Sequence, residues 1–160
     1  STPILDRGLH VAEEDEPIWR EGYNTEWVKK HGEDVFERIK NYPILCAGTV
    51  WGDTVSLTAL CELIGRTEGM DQGTLNVAIR ENWLNAIVRP NGYWVWTLGL
   101  HGYDWESQVM PEIEFSIVDE CVAEYPPNNT KYFTIVALVL HQYNRHPQLV
   151  KHFRSLYVGE

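Results

Sequence analysis

The chain has 160 residues, 44% of them hydrophobic and 22% charged, which is ordinary globular usage and excludes a disordered tail or a collagen-like chain. Thirteen Lys and Arg stand against 23 Asp and Glu, a formal net charge of −10, so a surface that tracks the phosphates of a nucleic acid is not expected. No apolar run approaches the ~18–20 residues of a membrane span, and Ser1-Thr2-Pro3-Ile4 shows no signal-peptide pattern.

In chain order, residues 1–7 read as a loose arm and Gly8 to Ala12 as a short strand. Glu13-Glu14-Asp15-Glu16-Pro17 follows as an acidic, solvated turn. Asn24 is a helix cap candidate, and Trp27, Val28, Val35, Phe36 and Ile39 form an apolar stripe at helical spacing, interrupted at Gly32. Pro43 to Val50 reads as a buried strand that ends in small residues, with Trp51-Gly52-Asp53 as turn and cap. A helix is expected from Thr54 to Ile64, with Val55, Leu57, Leu60, Cys61 and Ile64 facing inward and Gly65 as its stop. Asp71 caps the next helix, whose inner positions are Leu75, Ala78 and Ile79.

Ile87-Val88 and Tyr93 to Leu98 are strand-like, joined by a Pro90-Asn91-Gly92 turn. Glu112 to Val118 alternates like a half-exposed strand. Tyr132 to Leu140 is strongly apolar and suits a central strand, and His146 to Tyr157 closes the chain as a helix with Pro147 in its first turn. Strands and helices mix without strict alternation, so the expectation is a mixed α/β sheet with flanking helices in a single domain over residues 1–160. Cys46, Cys61 and Cys121 have no paired spacing. One disulfide with one free thiol is open, and three buried thiols are the default.

Three segments can carry chemistry. Cys46-Ala47-Gly48-Thr49 ends a strand in small residues, which either let a ligand approach the backbone or permit tight strand–helix packing. Gly69-Met70-Asp71-Gln72-Gly73-Thr74-Leu75-Asn76 opens a helix with a carboxylate and two amides. Such groups cap a helix, or pair with sugar hydroxyls that need both donors and acceptors. His141-Gln142-Tyr143-Asn144-Arg145-His146-Pro147 follows the apolar strand, where His141 is a metal or phosphate ligand or a loop histidine satisfied by its neighbours. Trp51, Trp94, Trp96 and Trp105 serve the core or stack on sugar rings.

The order of these segments resembles the C-terminal half of nucleotide-sugar glycosyltransferases of the GT-A type. It looks most like the glycosyltransferase-like families of algae, protists and their viruses, over Gly8 to Pro147. The resemblance implies that Ala47 and Gly48 border the donor sugar, together with Asn76. It implies catalytic roles for Asp71, which would orient or deprotonate the acceptor hydroxyl in an inverting enzyme, and Gln72, which would hold the sugar or, in a retaining enzyme, stabilise charge on its face. His141 would complete a site for Mn2+ or Mg2+ bridging the two phosphates. The reaction would move a hexose from a nucleoside diphosphate sugar to a hydroxyl of a glycan or protein acceptor.

No D-x-D triplet occurs in the 160 residues. An upstream segment or partner chain is therefore expected to supply the base pocket and the main metal ligands, as if the chain were a fragment or one subunit of a larger unit. The alternative expectation is a non-catalytic carbohydrate-binding or protein-assembly module derived from the same fold. Asn128-Asn129-Thr130 is an N-glycosylation triplet, which would suit a Golgi-type transferase if the chain enters the secretory pathway.

Overall fold

The computed structural model describes residues 7–92, 95–98, 115–118, 121–124, 139–141 and 147–157. Expectations on Tyr93, Trp94, Trp105, residues 112–114, the triplet 128–130, residues 132–138 and residues 142–146 lie outside the described residues, as do the side chains of Trp96 and Cys121. The content is mixed α/β, and the chain divides into two units, residues 1–90 and 91–160.

In the first unit, β1 (Leu9–Pro17) lies between β2 (Pro43–Gly52), antiparallel to it, and β3 (Ile87–Arg89), parallel to it. The acidic run expected as a turn is instead the second half of β1. Two of its charges face arginines, one of them far along the chain. Glu13 takes a 2.8 Å bond from Arg80, and Glu16 faces Arg20 at 3.5 Å. Arg80 also donates to the Pro43 carbonyl and lies over the Tyr42 ring. One guanidinium thus joins a helix end to both strands.

A 3₁₀ turn (Ile18–Arg20) leads into α1 (Gly22–Lys29) and α2 (Glu33–Ile39). Glu21, not Asn24, caps α1, accepting the N–H groups of Tyr23 and Asn24. Asn24 is buried inside the helix. The apolar stripe is divided between the two helices. Val28, Val35, Phe36 and Ile39 bury it with Ile18, Ile44 and Val77, while Trp27 is half-buried.

Helix α3 (Thr54–Arg66) and helix α4 (Asp71–Arg80) cover one face of the sheet. Leu9, Val11, Leu45, Leu60, Leu75 and Ile79 form the core there. The period-2 alternation of β1 places His10 on the opposite face. That imidazole is fully buried and stacks on Trp51, ring centroids 5.3 Å apart, and neither ring nitrogen has a hydrogen-bond partner among the described residues.

Three details of α3 and α4 differ from expectation. Val55 and Cys61 are exposed, because Leu57, Leu60 and Ile64 already fill the inward stripe. The exposed Cys61 also overturns the expectation of three buried thiols, although Cys46 is buried. Gly65 lies within α3, which continues to Arg66. Asp71 is the first residue of α4 rather than its cap. Met70 holds the cap position, with no side-chain bond.

Trp51 and Gly52 belong to β2 rather than to a turn. A Cβ at Gly52 would lie 2.5 Å from the Gly8 carbonyl oxygen, so a side chain there would force the strand ends apart. Asp53 is the cap of α3, as expected, and accepts from Ser56 N–H at 2.9 Å and Gly8 N–H at 2.7 Å. The Ser56 bonds, then the Gly8 bond, hold its carboxyl below the usual carboxylate range. A depressed folded value stabilises the protein above the unfolded value, and that stability is lost as pH falls through the folded one. Asp53→Asn should therefore lower the melting temperature at pH 7 and narrow the gap to wild type toward pH 2–3. A gap that stays constant across a pH series of thermal melts would contradict this role for the charge.

In the second unit, β4 (Val95–Thr97) pairs in parallel with β7 (Val139–His141), and β5 (Phe115–Val118) pairs antiparallel with β6 (Cys121–Glu124). The expected turn is present at Asn91-Gly92, with the Gly92 N–H donating to the Val95 carbonyl at 3.0 Å, although β3 and β4 belong to different sheets. Asn91 brackets Thr97. Its Oδ1 accepts the Thr97 N–H at 2.8 Å and its Nδ2 donates to the Thr97 carbonyl at 3.2 Å. Helix α5 (Pro147–Tyr157) begins with its proline, as expected, and buries Leu149.

Candidate functional site

Among the described residues, strand β2 pairs with β1 along one side only. Its other side presents backbone groups that need partners. Helix α4 supplies them. Gln72 and Asn76 are four residues apart and so share one face of the helix. Asn76 Oδ1 accepts the Leu45 N–H at 2.8 Å, and its Nδ2 donates to the Leu45 carbonyl at 3.0 Å and to the Gln72 carbonyl at 2.8 Å. Gln72 Oε1 accepts the Ala47 N–H at 3.0 Å. Two side-chain amides thus occupy the place of a neighbouring strand.

Gln72 also reaches α1, where its Nε2 donates to Asn24 Oδ1 at 3.0 Å. Asn24 Nδ2 in turn donates to Glu21 Oε2 at 2.8 Å. Asp71 is exposed beside this network, with Oδ1 accepting the Gln72 N–H at 2.7 Å. Ala47 is half-buried and Gly48 exposed. The fold therefore joins Ala47, Gln72 and Asn76 in one hydrogen-bonded set, with Gly48 and Asp71 next to it in the chain. Asn76 is fully buried, and its contacts are with the protein. His141 lies in the second unit, half-buried on β7, with its carbonyl accepting the Leu98 N–H at 2.9 Å.

Sequence reasoning missed Glu21 and Asn24. Their signal was present as an acidic residue three places before a polar residue at a helix start, but only the fold shows that Asn24 points inward onto α4.

The surroundings are aromatic and partly desolvated. Tyr23, 72% exposed, lies 5.9 Å from Trp27 between ring centroids. Half-buried His31 touches Thr74 Oγ1 at 3.4 Å and meets Trp83 edge-on. Burial lowers its affinity for a proton relative to a free imidazole. Cys46, one residue before Ala47, has its thiol pushed up to about 12, first by burial and then by the charge of Glu14. It is therefore a packing residue rather than a nucleophile. Among the described residues, no group of three or more His, Cys, Asp or Glu side chains converges where a metal ion could be held.

The fold and site define a mixed α/β unit in which a helix start is tied by amide side chains to a sheet edge. Comparison with protein-family models, with curated proteins and with solved structures finds no match for the chain. No described helix is long and apolar enough to cross a membrane.

Proposed function

We propose that the chain carries the sugar-facing part of a GT-A-like glycosyltransferase domain, transferring a hexose from a nucleoside diphosphate sugar to a hydroxyl acceptor. The observation that carries this reading is the bond between Ala47 and Gln72, 25 residues apart in sequence. It brings the small residues of β2, which lie in mid-strand rather than at the strand end expected because β2 runs on to Gly52, and the Asp-Gln helix start into one place, as a sugar site built from those segments requires.

In this reading the backbone at Ala47 and Gly48 and the amide of Gln72 border the donor sugar. Asn76 supports them from beneath by fixing Leu45. Asp71 accepts the acceptor hydroxyl's proton as the new bond to the anomeric carbon forms. The bond to the diphosphate oxygen breaks, and the nucleoside diphosphate leaves with the electron pair. His141 is the residue proposed for the divalent cation, and no step is assigned to that ion.

A second reading, a non-catalytic carbohydrate-binding or assembly module, is favoured by the exposed rings of Tyr23 and Trp83, since aromatic faces suit both sugars and protein partners. Calorimetric titration with UDP-glucose and GDP-mannose, with and without manganese, separates the two readings. Transferase function predicts binding that strengthens with manganese. Asp71→Asn should keep that binding and slow transfer by roughly 10²-fold or more. Sugar binding indifferent to metal and without transfer favours the binding module. No binding across the panel overturns the transferase reading.

A further inference from the structure

We infer that Glu21 and Asn24 are positioning residues for Gln72, which fix the direction in which its amide points. The inference rests on the reading above that Gln72 faces a sugar ligand. The two ends of an amide side chain are alike in shape, so only hydrogen-bond partners decide which is oxygen and which is nitrogen.

Here the partners decide from both sides. Glu21 caps α1 through two backbone N–H groups and also receives Asn24 Nδ2 at 2.8 Å. An ionised carboxylate only accepts, so Asn24 must turn its NH2 toward Glu21. Its oxygen then faces Gln72, which must answer with its own NH2, as the 3.0 Å contact shows. That leaves Gln72 Oε1 toward Ala47, whose backbone N–H only donates, at 3.0 Å. The acceptor-only end and the donor-only end of the relay require the same orientation.

The consequence for a ligand is specific. Each end of the Gln72 amide has one hydrogen-bonding valence left after these contacts. The remaining N–H is on the Asn24 side and the remaining lone pair on the Ala47 side. A ligand group approaching from α1 must therefore offer an acceptor oxygen, such as a sugar or phosphate oxygen. One approaching along β2 must offer a hydroxyl proton. Asn24 is 4% exposed, so the relay is sheltered from competing water over its middle link.

The test uses the full chain, ¹⁵N-labelled, as wild type, Glu21→Gln and Asn24→Leu. Glu21→Gln replaces the acceptor-only end by a group that can rotate. Asn24→Leu removes both the NH2 that Glu21 accepts and the oxygen to which Gln72 donates. Both are close in size to the native side chains, and thermal melts report whether each is folded. Side-chain amide exchange of Gln72 is followed by NMR, and UDP-glucose affinity by calorimetry.

The inference expects Gln72 amide exchange to rise about tenfold in both variants and UDP-glucose affinity to fall by a similar factor, in proteins that still melt cooperatively. Unchanged Gln72 exchange in both folded variants overturns it, even if wild type binds UDP-glucose and the functional reading stands. Faster exchange in a protein whose wild type binds no nucleotide sugar overturns the ligand role and the functional reading together. In that case the relay only locks α1 onto α4.

Discussion

Asn76→Ala should destabilise the protein by about 3–5 kcal/mol, from the loss of a buried hydrogen-bonding group and the unsatisfied partners it leaves. The wild-type amide is fully buried and makes three bonds, to the Leu45 N–H, the Leu45 carbonyl and the Gln72 carbonyl. Alanine removes all three, and water cannot readily replace them beneath α4. Asn76→Asp is a closer probe, because it keeps the shape and the acceptor but loses both donated bonds and adds a buried charge. It should cost as much or more. Gln72→Ala should cost less, about 1–2 kcal/mol, since Ala47 is only half-buried and its N–H can find water. Urea unfolding of the three variants checks the order. An Asn76→Ala protein within 1 kcal/mol of wild type would contradict the edge-holding role.

Two glycines in helices should respond to alanine with opposite signs. A Cβ at Gly73 would lie 2.7 Å from Trp27 Cβ and 3.0 Å from the Trp27 backbone carbon and oxygen. The obstacle is the backbone of α1, which cannot swing aside like a side-chain tip. It is held to α4 by the Asn24–Gln72 bond and to the preceding turn by Thr25 Oγ1 donating to the Ile18 carbonyl at 2.8 Å. Gly73→Ala gains up to ~1 kcal/mol of helix propensity. Against that stands an overlap of the kind that costs about 1–3 kcal/mol in packed interiors, so a net loss is expected, larger still for Gly73→Val. Gly65 in α3 is exposed, and a Cβ there meets nothing within 4 Å. Gly65→Ala should stabilise by about 0.5 kcal/mol. Equal responses at the two positions, by chemical or thermal denaturation, would mean that α1 yields to Gly73 substitutions.

The parts legible in the sequence were those governed by neighbours in the chain. Asp53 before Thr54 announced a cap, Leu75, Ala78 and Ile79 announced the inner face of α4, and Pro147 opened α5. What local pattern could not show was decided across the fold. The acidic second half of β1 became a strand because Arg80, 67 residues beyond Glu13, crosses over to it. Asn24 looked like a cap because its type favours helix starts, but Glu21 took that role and released Asn24 to meet Gln72. The residues of the candidate site were singled out by type and order. Their work in the structure, pairing amides with a strand's backbone, depends on a register between α4 and β2 that no periodicity encodes.

The amides of Gln72 and Asn76 have a consequence for molecules in a crowd. Along Leu45 to Ala47, a strand from a second copy would find the backbone groups it needs already taken. Templated growth of the sheet from that flank would have to displace a folded helix first. A variant that frees those groups, Asn76→Ala above all, would lose stability and at the same time acquire a docking rail for its own kind, so self-association would accompany unfolding rather than follow it.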